Sequence, residues 1–189
     1  MNFCSQCGSP ALELRIPDGD TLRRQVCTAC GAIHYQNPKV VVGCLPVWDE
    51  KVLLCKRAIE PRFGLWTLPA GFLENGETIF AGAVRETAEE ARARVEIGQL
   101  YTMISLPHIN QIYVMFRARL LDLDFGAGLE SLEVRLFGED EIPWSEIAFR
   151  TITRTLRNYF LDRKLGVFPT RVSALERRVP REPSLSGAA

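Results

Sequence analysis

The sequence predicts an α/β domain preceded by a small four-cysteine zinc ribbon. Three observations carry that expectation. Two Cys-x2-Cys pairs open the chain, apolar runs of strand length follow them, and helical periodicity appears once mid-chain and once near the end.

The ribbon comes first. Cys4 and Cys7 form one pair and Cys27 and Cys30 the other, with nineteen residues between them. Gly8 and Gly31 follow the pairs and let backbone amides turn toward the thiolates. Two such knuckles facing each other make a tetrahedral Cys4 site for Zn2+, and four protein ligands leave no open position for water. The expected role is therefore structural. Residues 11–26 carry ELRI, the turn PDGD and LRRQV, which suits a hairpin. A unit this short needs its metal to fold.

After Pro38 the pattern changes. Residues 40–47 and 51–57 read as buried strands joined by an Asp49-Glu50 turn, with Cys44 and Cys55 as small core residues. A helix is expected from about Thr78 to Arg92. Strands follow near residues 94–105, 111–121 and 132–137. A second helix is expected over 147–165, with Ile152, Leu156, Tyr159 and Phe160 on one stripe. From about Thr170 the chain is rich in Arg, Pro, Ser and Gly and reads as a loosely held tail. The expected divisions are 1–36 for the ribbon, 37–168 for the main domain and 169–189 for the tail.

The first helix holds the chemistry. Glu86, Glu89 and Glu90 stand at i, i+3 and i+4, so at about 100° per residue they share one face. Phe80, Ala83, Val84, Thr87, Ala88 and Ala91 fall opposite and are expected to face the core. Like charges at this spacing disfavour a helix. Hard divalent cations bound by carboxylate oxygens are the usual remedy. Upstream, Gly71 is followed after five residues by Glu77, and after seven more by Arg85-Glu86. This resembles the Nudix box, G-x5-E-x7-R-E-U-x-E-E-x-G-U, where U is a bulky aliphatic. Thr87 occupies the first U. At the end Arg92 stands where the box glycine would stop the helix, and Ala93 where the last aliphatic falls.

The resemblance spreads beyond the box. The run CxxCG…CxxCGAIHYQNPKVVVGC…VLLCKR…GLWTLPAGFLENGET, with ESLEVRLF and EIPW later, is similar to zinc-ribbon Nudix proteins. That group includes plant plastid FAD and ADP-ribose pyrophosphatases. The resemblance implies a mixed sheet between helices and Mg2+- or Mn2+-dependent hydrolysis of a nucleoside diphosphate linked to another group. FAD or ADP-ribose is the implied substrate class, with AMP released. It further implies that Glu86, Glu89 and Glu90 ligate metal with a carbonyl of Gly71 or Ala70. Arg85 then orients Glu89, and Glu77 braces the loop. Many family members use a base outside the helix. Glu130 and Glu133 are the candidates here, and Glu130 is preferred. Arg57 and Gln111 are candidate substrate contacts, with His108 beside the latter. The NADH-pyrophosphatase signature SQPWPFPxS is absent, and Ser105 to Gln111 reads SLPHINQ instead. An NAD(H) pyrophosphatase is the alternative enzyme, and an ADP-ribose-binding sensor the non-catalytic one.

Charge and composition narrow the partners. Lys plus Arg number 23 and Asp plus Glu 23, so no net charge favours nucleic acid or anionic membrane. No apolar run approaches the ~20 residues of a membrane span, and the N-terminus has no signal-peptide pattern. The expectation is a cytoplasmic enzyme of small dinucleotides, with nucleic acid an unlikely partner and a homodimer possible from the family resemblance.

Overall fold

The computed structural model describes residues 1–177, which separate into two compact units, one from Met1 to Pro38 and one from Lys39 onward. The first contains an antiparallel three-stranded sheet of β1 (Leu12–Arg15), β2 (Arg24–Cys27) and β3 (Ile33–His34). The cysteine pairs sit on the two turns expected of them. The amide of Gly8 bonds the Cys4 carbonyl, and that of Gly31 the Cys27 carbonyl, at 2.9 and 2.8 Å. Both glycines have φ near +75°, a conformation that disfavours any side chain.

The second unit is built on one mixed sheet. Its strands are β4 (Lys39–Trp48), β5 (Lys51–Arg57), β6 (Trp66–Thr67), β7 (Ala70–Phe72), β8 (Val95–Leu106), β9 (Gln111–Leu120), β10 (Ser131–Phe137) and β11 (Arg171–Ala174). The main order is β10-β5-β4-β9-β8-β11. β4 runs parallel to β9 from Lys39↔Gln111 to Val47↔Arg119, and most other pairs are antiparallel. β5 pairs with β4 only beside their turn, at Val47↔Val52 and Trp48↔Lys51. The two strands then diverge. β7 pairs with β4, and β6 pairs with β5. This divergence sets the segment around Gly71 beside the sheet.

Two helices cover the sheet. Ala83 of α1 (Ile79–Ala91) packs with Val42, Cys44 and Phe116 on one side. Ile152, Leu156, Tyr159 and Phe160 of α2 (Arg150–Leu165) pack with Leu45, Leu54 and Met115 on the other. Burial on both faces explains why β4 reads as a continuous apolar run rather than an alternation. Cys44 and Cys55 are core residues as expected, and burial pushes the Cys44 thiol up to about 11. Among the described residues no helix is long and apolar enough to cross a membrane.

Three sequence expectations need correction. The α1 face is turned: Phe80, Val84 and Ala88 are exposed, whereas Glu86 and Glu90 are buried with Ala83, Thr87 and Ala91. Glu86 and Glu90 face inward, where they line a cavity, while Glu89 of the same arc stays exposed. α2 starts at Arg150 rather than 147, because Trp144–Glu146 form a 3₁₀ turn and Ile147 bridges to Trp66. The segment after Thr170 is not loose at its start. β11 adds in parallel to β8, Arg171 pairs with the buried Asp162 of α2, and Leu175 packs on Ile104 and Leu106. One arginine and one leucine anchor it, so no apolar run marks it. The remainder of the expected tail, from 178, lies outside the described residues.

Candidate active site and zinc ribbon

Thr78 caps α1 by accepting from the Ala81 N–H at 3.1 Å. At the other end Arg92 itself adopts the left-handed conformation, φ 47° and ψ 23°, and its N–H bonds the Ala88 carbonyl. The helix therefore stops where a glycine was expected to stop it. The loop before β10 then closes over this end. The amides of Gly126 and Gly128 bond the carbonyls of Ala91 and Glu90 at 2.9 and 3.0 Å. A Cβ on Gly128 would stand 1.7 Å from the Glu89 carbonyl oxygen, so glycine is required there by contact. This loop delivers Glu130 to the mouth of the site.

Arg85 is the hub of the helix. Its Nε and Nη2 donate to the two oxygens of Glu77 at 3.1 and 2.7 Å. Its Nη1 donates to Glu86 and Glu89 at 2.7 and 2.9 Å, and Nη2 also reaches the Phe72 carbonyl. The expected Arg85–Glu89 contact is present within a wider fork. Glu77 also accepts from the Glu74 N–H at 2.8 Å, and the Arg85 fork holds its carboxyl down to about 2. β7 leaves no room beside Glu86: a Cβ on Gly71 would stand 2.3 Å from Glu86 Oε2. Glu90 Oε2 accepts from the Ala70 N–H at 3.1 Å.

The two inward carboxylates are starved of water. Burial pushes Glu90 up to about 8; the Ala70 N–H and Arg57 pull against this, while Glu86 and Glu130 add to it. Burial likewise raises Glu86, against the pull of Arg85. Buried carboxyls so perturbed favour a cation partner over ionisation alone. Carboxylate and carbonyl oxygens are the donor set of Mg2+ and Mn2+, so these residues fit such an ion.

The cavity holding them is about 1130 Å³. Gly71, Glu86, Glu89, Glu90 and Arg85 line it, as do Arg57, Gln111, His108 and Glu130. Glu133 does not line it; it lies on β10 opposite Lys56. Among the aromatics near the cavity, Phe72 is exposed at the rim with Lys39 over its ring at 4.8 Å, whereas Trp66 is core. Sequence reading missed the stretch from Ala148 to Ile152, which forms another wall, and Leu175. Neither carries a motif; each reaches the cavity only through the packing of α2 and β11.

In the first unit the sulfurs of Cys4, Cys7, Cys27 and Cys30 lie within 4.8 Å of one another. Cys4 Sγ is 3.7 Å from Cys30 Sγ, and Cys7 Sγ is 3.6 Å from Cys27 Sγ. A Zn–S bond of about 2.3 Å implies a tetrahedral edge of about 3.8 Å. The thiols are unbridged and fit a zinc ion.

Comparison with known proteins follows the same two units. Residues 2–36 match the zinc ribbon of the Nudix N-terminal family model, and residues 37–154 match the NUDIX domain. A NUDIX hydrolase from Nitrosomonas europaea is 61% identical, with a TM-score of 0.90 over 94% of this chain and 100% of that one. The NAD-capped RNA hydrolase NudC of Stutzerimonas stutzeri is 30% identical over 87% of this chain and 57% of its own length. The chain thus spans little more than half of that relative. An ADP-ribose pyrophosphatase of Methanocaldococcus jannaschii is 31% identical over 58% of this chain and 67% of its own.

Proposed function

The chain belongs to the NUDIX family, and on that premise we propose that it is a divalent-metal-dependent pyrophosphohydrolase. Its substrate is a nucleoside diphosphate joined to a second group, with ADP-ribose or FAD preferred and AMP released. The observation that carries the reading is the pair of buried carboxylates, Glu86 and Glu90, facing a cavity of about 1130 Å³ beside Gly71.

Glu86, Glu89 and Glu90, with a carbonyl of Gly71 or Ala70, would hold Mg2+ or Mn2+, which when bound screens phosphate charge and acidifies the attacking water. Arg85 keeps Glu86 and Glu89 aimed by donating to both, and Glu77 fixes Arg85 from behind. Glu130 is exposed at the cavity mouth and takes the proton of the attacking water. Arg57 meets a phosphate oxygen, and Gln111 contacts the substrate from the start of β9. The four-cysteine unit holds Zn2+ as a structural ion. A cytoplasmic homodimer is the setting we propose from the family resemblance, and light scattering tests the assembly.

The Methanocaldococcus relative supports ADP-ribose. The SLPHINQ segment, now seen as the end of β8 and a 3₁₀ turn at Pro107–Ile109, replaces the NADH signature and supports the same choice. A second reading, NAD(H) or NAD-capped RNA, draws support from the NudC relative that matches along both units. A hydrolysis panel of ADP-ribose, FAD, NADH and NAD-capped RNA at one Mg2+ concentration separates them by kcat/KM. A tenfold preference for either nicotinamide substrate, about 1.4 kcal/mol of transition-state binding, would reverse the ranking. Tight ADP-ribose binding without turnover of any substrate would move the protein to the sensor class.

A further inference from the structure

We propose that the N-terminal end of α2, together with Arg57 and Thr151, is a phosphate-oxyanion subsite for the substrate phosphoryl group that the α1 carboxylates do not engage. It deepens the pyrophosphohydrolase reading and rests on it for the identity of the bound molecule. Three independent features meet at this corner.

The first is an unsatisfied helix end. α2 is sixteen residues long, its N-cap Phe149 supplies no side-chain acceptor, and its first turn has no acidic residue. Among the described residues the N–H groups of Arg150, Thr151 and Ile152 have no protein acceptor outside the helix. All three residues line the cavity. Such an end concentrates partial positive charge and presents its amides to an anion.

The second is Thr151. It is 2% exposed, and its buried hydroxyl has no hydrogen-bond partner. Buried hydroxyls are nearly always satisfied, so a lone one in a residue that lines the cavity points to a ligand acceptor.

The third is Arg57. Its residue is 9% exposed and its guanidinium lies 5.1 Å from the ring of Phe149, the N-cap residue of α2. Its side chain makes a bond from Nε to the Pro61 carbonyl, at 3.0 Å, and among the described residues no carboxylate lies within ion-pair distance. The remaining guanidinium donors form a planar fork suited to phosphate. The Arg57 cation and the positive end of α2 meet beside Phe149, and an anion bound between them relieves their mutual repulsion. This corner is built from β5 and α2, whereas the carboxylates proposed to hold metal stand on α1. It can therefore bind phosphate without metal.

The test is titration of the full chain with inorganic phosphate in excess chelator, followed by amide NMR resonances. The amides of Arg150, Thr151 and Ile152 are expected to shift together in the wild type and in Glu90→Gln. Thr151→Val should weaken phosphate binding about tenfold or more, the effect of one hydrogen bond to a charged group. Thr151→Ser, which keeps the hydroxyl, should bind as the wild type does. With Mg2+ and ADP-ribose, Thr151→Val should raise KM by a similar factor with kcat little changed. Equal phosphate affinity in wild type and Thr151→Val, or no shift at the three amides, overturns the subsite. Phosphate binding of the expected pattern in a protein that hydrolyses nothing would support the subsite and refute the enzyme reading separately.

Discussion

Replacing Glu90 by glutamine should make the chelated protein more stable at neutral pH while abolishing its chemistry. Glu90 is 5% exposed, and burial carries its carboxyl from 4.5 to about 8. Between those values the native protein keeps a proton that the unfolded chain has released. Stability from this group is thus fully present below about 4.5 and is lost as pH rises through about 8. At 1.36 kcal/mol per pH unit the ceiling is about 4–5 kcal/mol. Glutamine has no proton to lose, and its carbonyl oxygen can still accept from the Ala70 N–H. In excess chelator, wild type and Glu90→Gln should melt together near pH 5. By pH 8 the variant should melt higher by on the order of 10 °C, at roughly 2–4 °C per kcal/mol for a domain of this size. Adding Mg2+ should restore the wild type and leave the variant unmoved, because only the wild type keeps the ligand. Hydrolysis in the variant should fall by orders of magnitude. Parallel pH–melting curves for the two proteins in chelator would refute the reasoning, since Glu90 would then not be the strained carboxyl it is taken to be.

Further outcomes follow from single contacts. Elemental analysis of protein purified without added metal should find about one zinc per chain, and Cys27→Ser should unfold the ribbon before it affects turnover; metal-free protein with disulfide-linked cysteines would contradict this. Arg92→Gly should raise stability to urea by up to about 1 kcal/mol, because a side chain in the left-handed region is strained; a loss of stability would show that the Arg92 side chain contributes more than its backbone costs. Gly128→Ala should destabilise by about 1–3 kcal/mol or more through its clash with the Glu89 carbonyl. Gly126→Ala, with open space around its Cβ position, should cost far less in the same urea titration.

Much of this was legible in the sequence where chemistry needs fixed spacing. The thiol pairs at Cys4 and Cys27 and the i, i+3, i+4 carboxylates of α1 are local patterns, and the structure places them as local geometry demands. The apolar stripe of Ile152, Leu156, Tyr159 and Phe160 likewise faces the core. What failed depended on distant packing. Helical periodicity sorted α1 into apolar and acidic faces and sent Phe80 inward. It could not register that β4 and β5 diverge, that β7 enters the gap, and that a cavity there draws Glu86 and Glu90 inward. The anchor of β11 is a buried Asp162 shared between Arg171, nine residues on, and Tyr101, sixty-one residues back, and no local pattern marks that trio. Arg57 reads in sequence as a strand end that could meet phosphate. Its place over Phe149 appears only when β5 and α2 are brought together.

Hydrolysis of ADP-ribose by the full chain in Mg2+, with products identified and with Glu90→Gln and excess chelator as controls, tests the enzyme reading most directly. The expected result is release of AMP and ribose 5-phosphate by the wild type, reduced by orders of magnitude in the variant and in chelator. Turnover that survives chelation, or that is equal in Glu90→Gln, would contradict it.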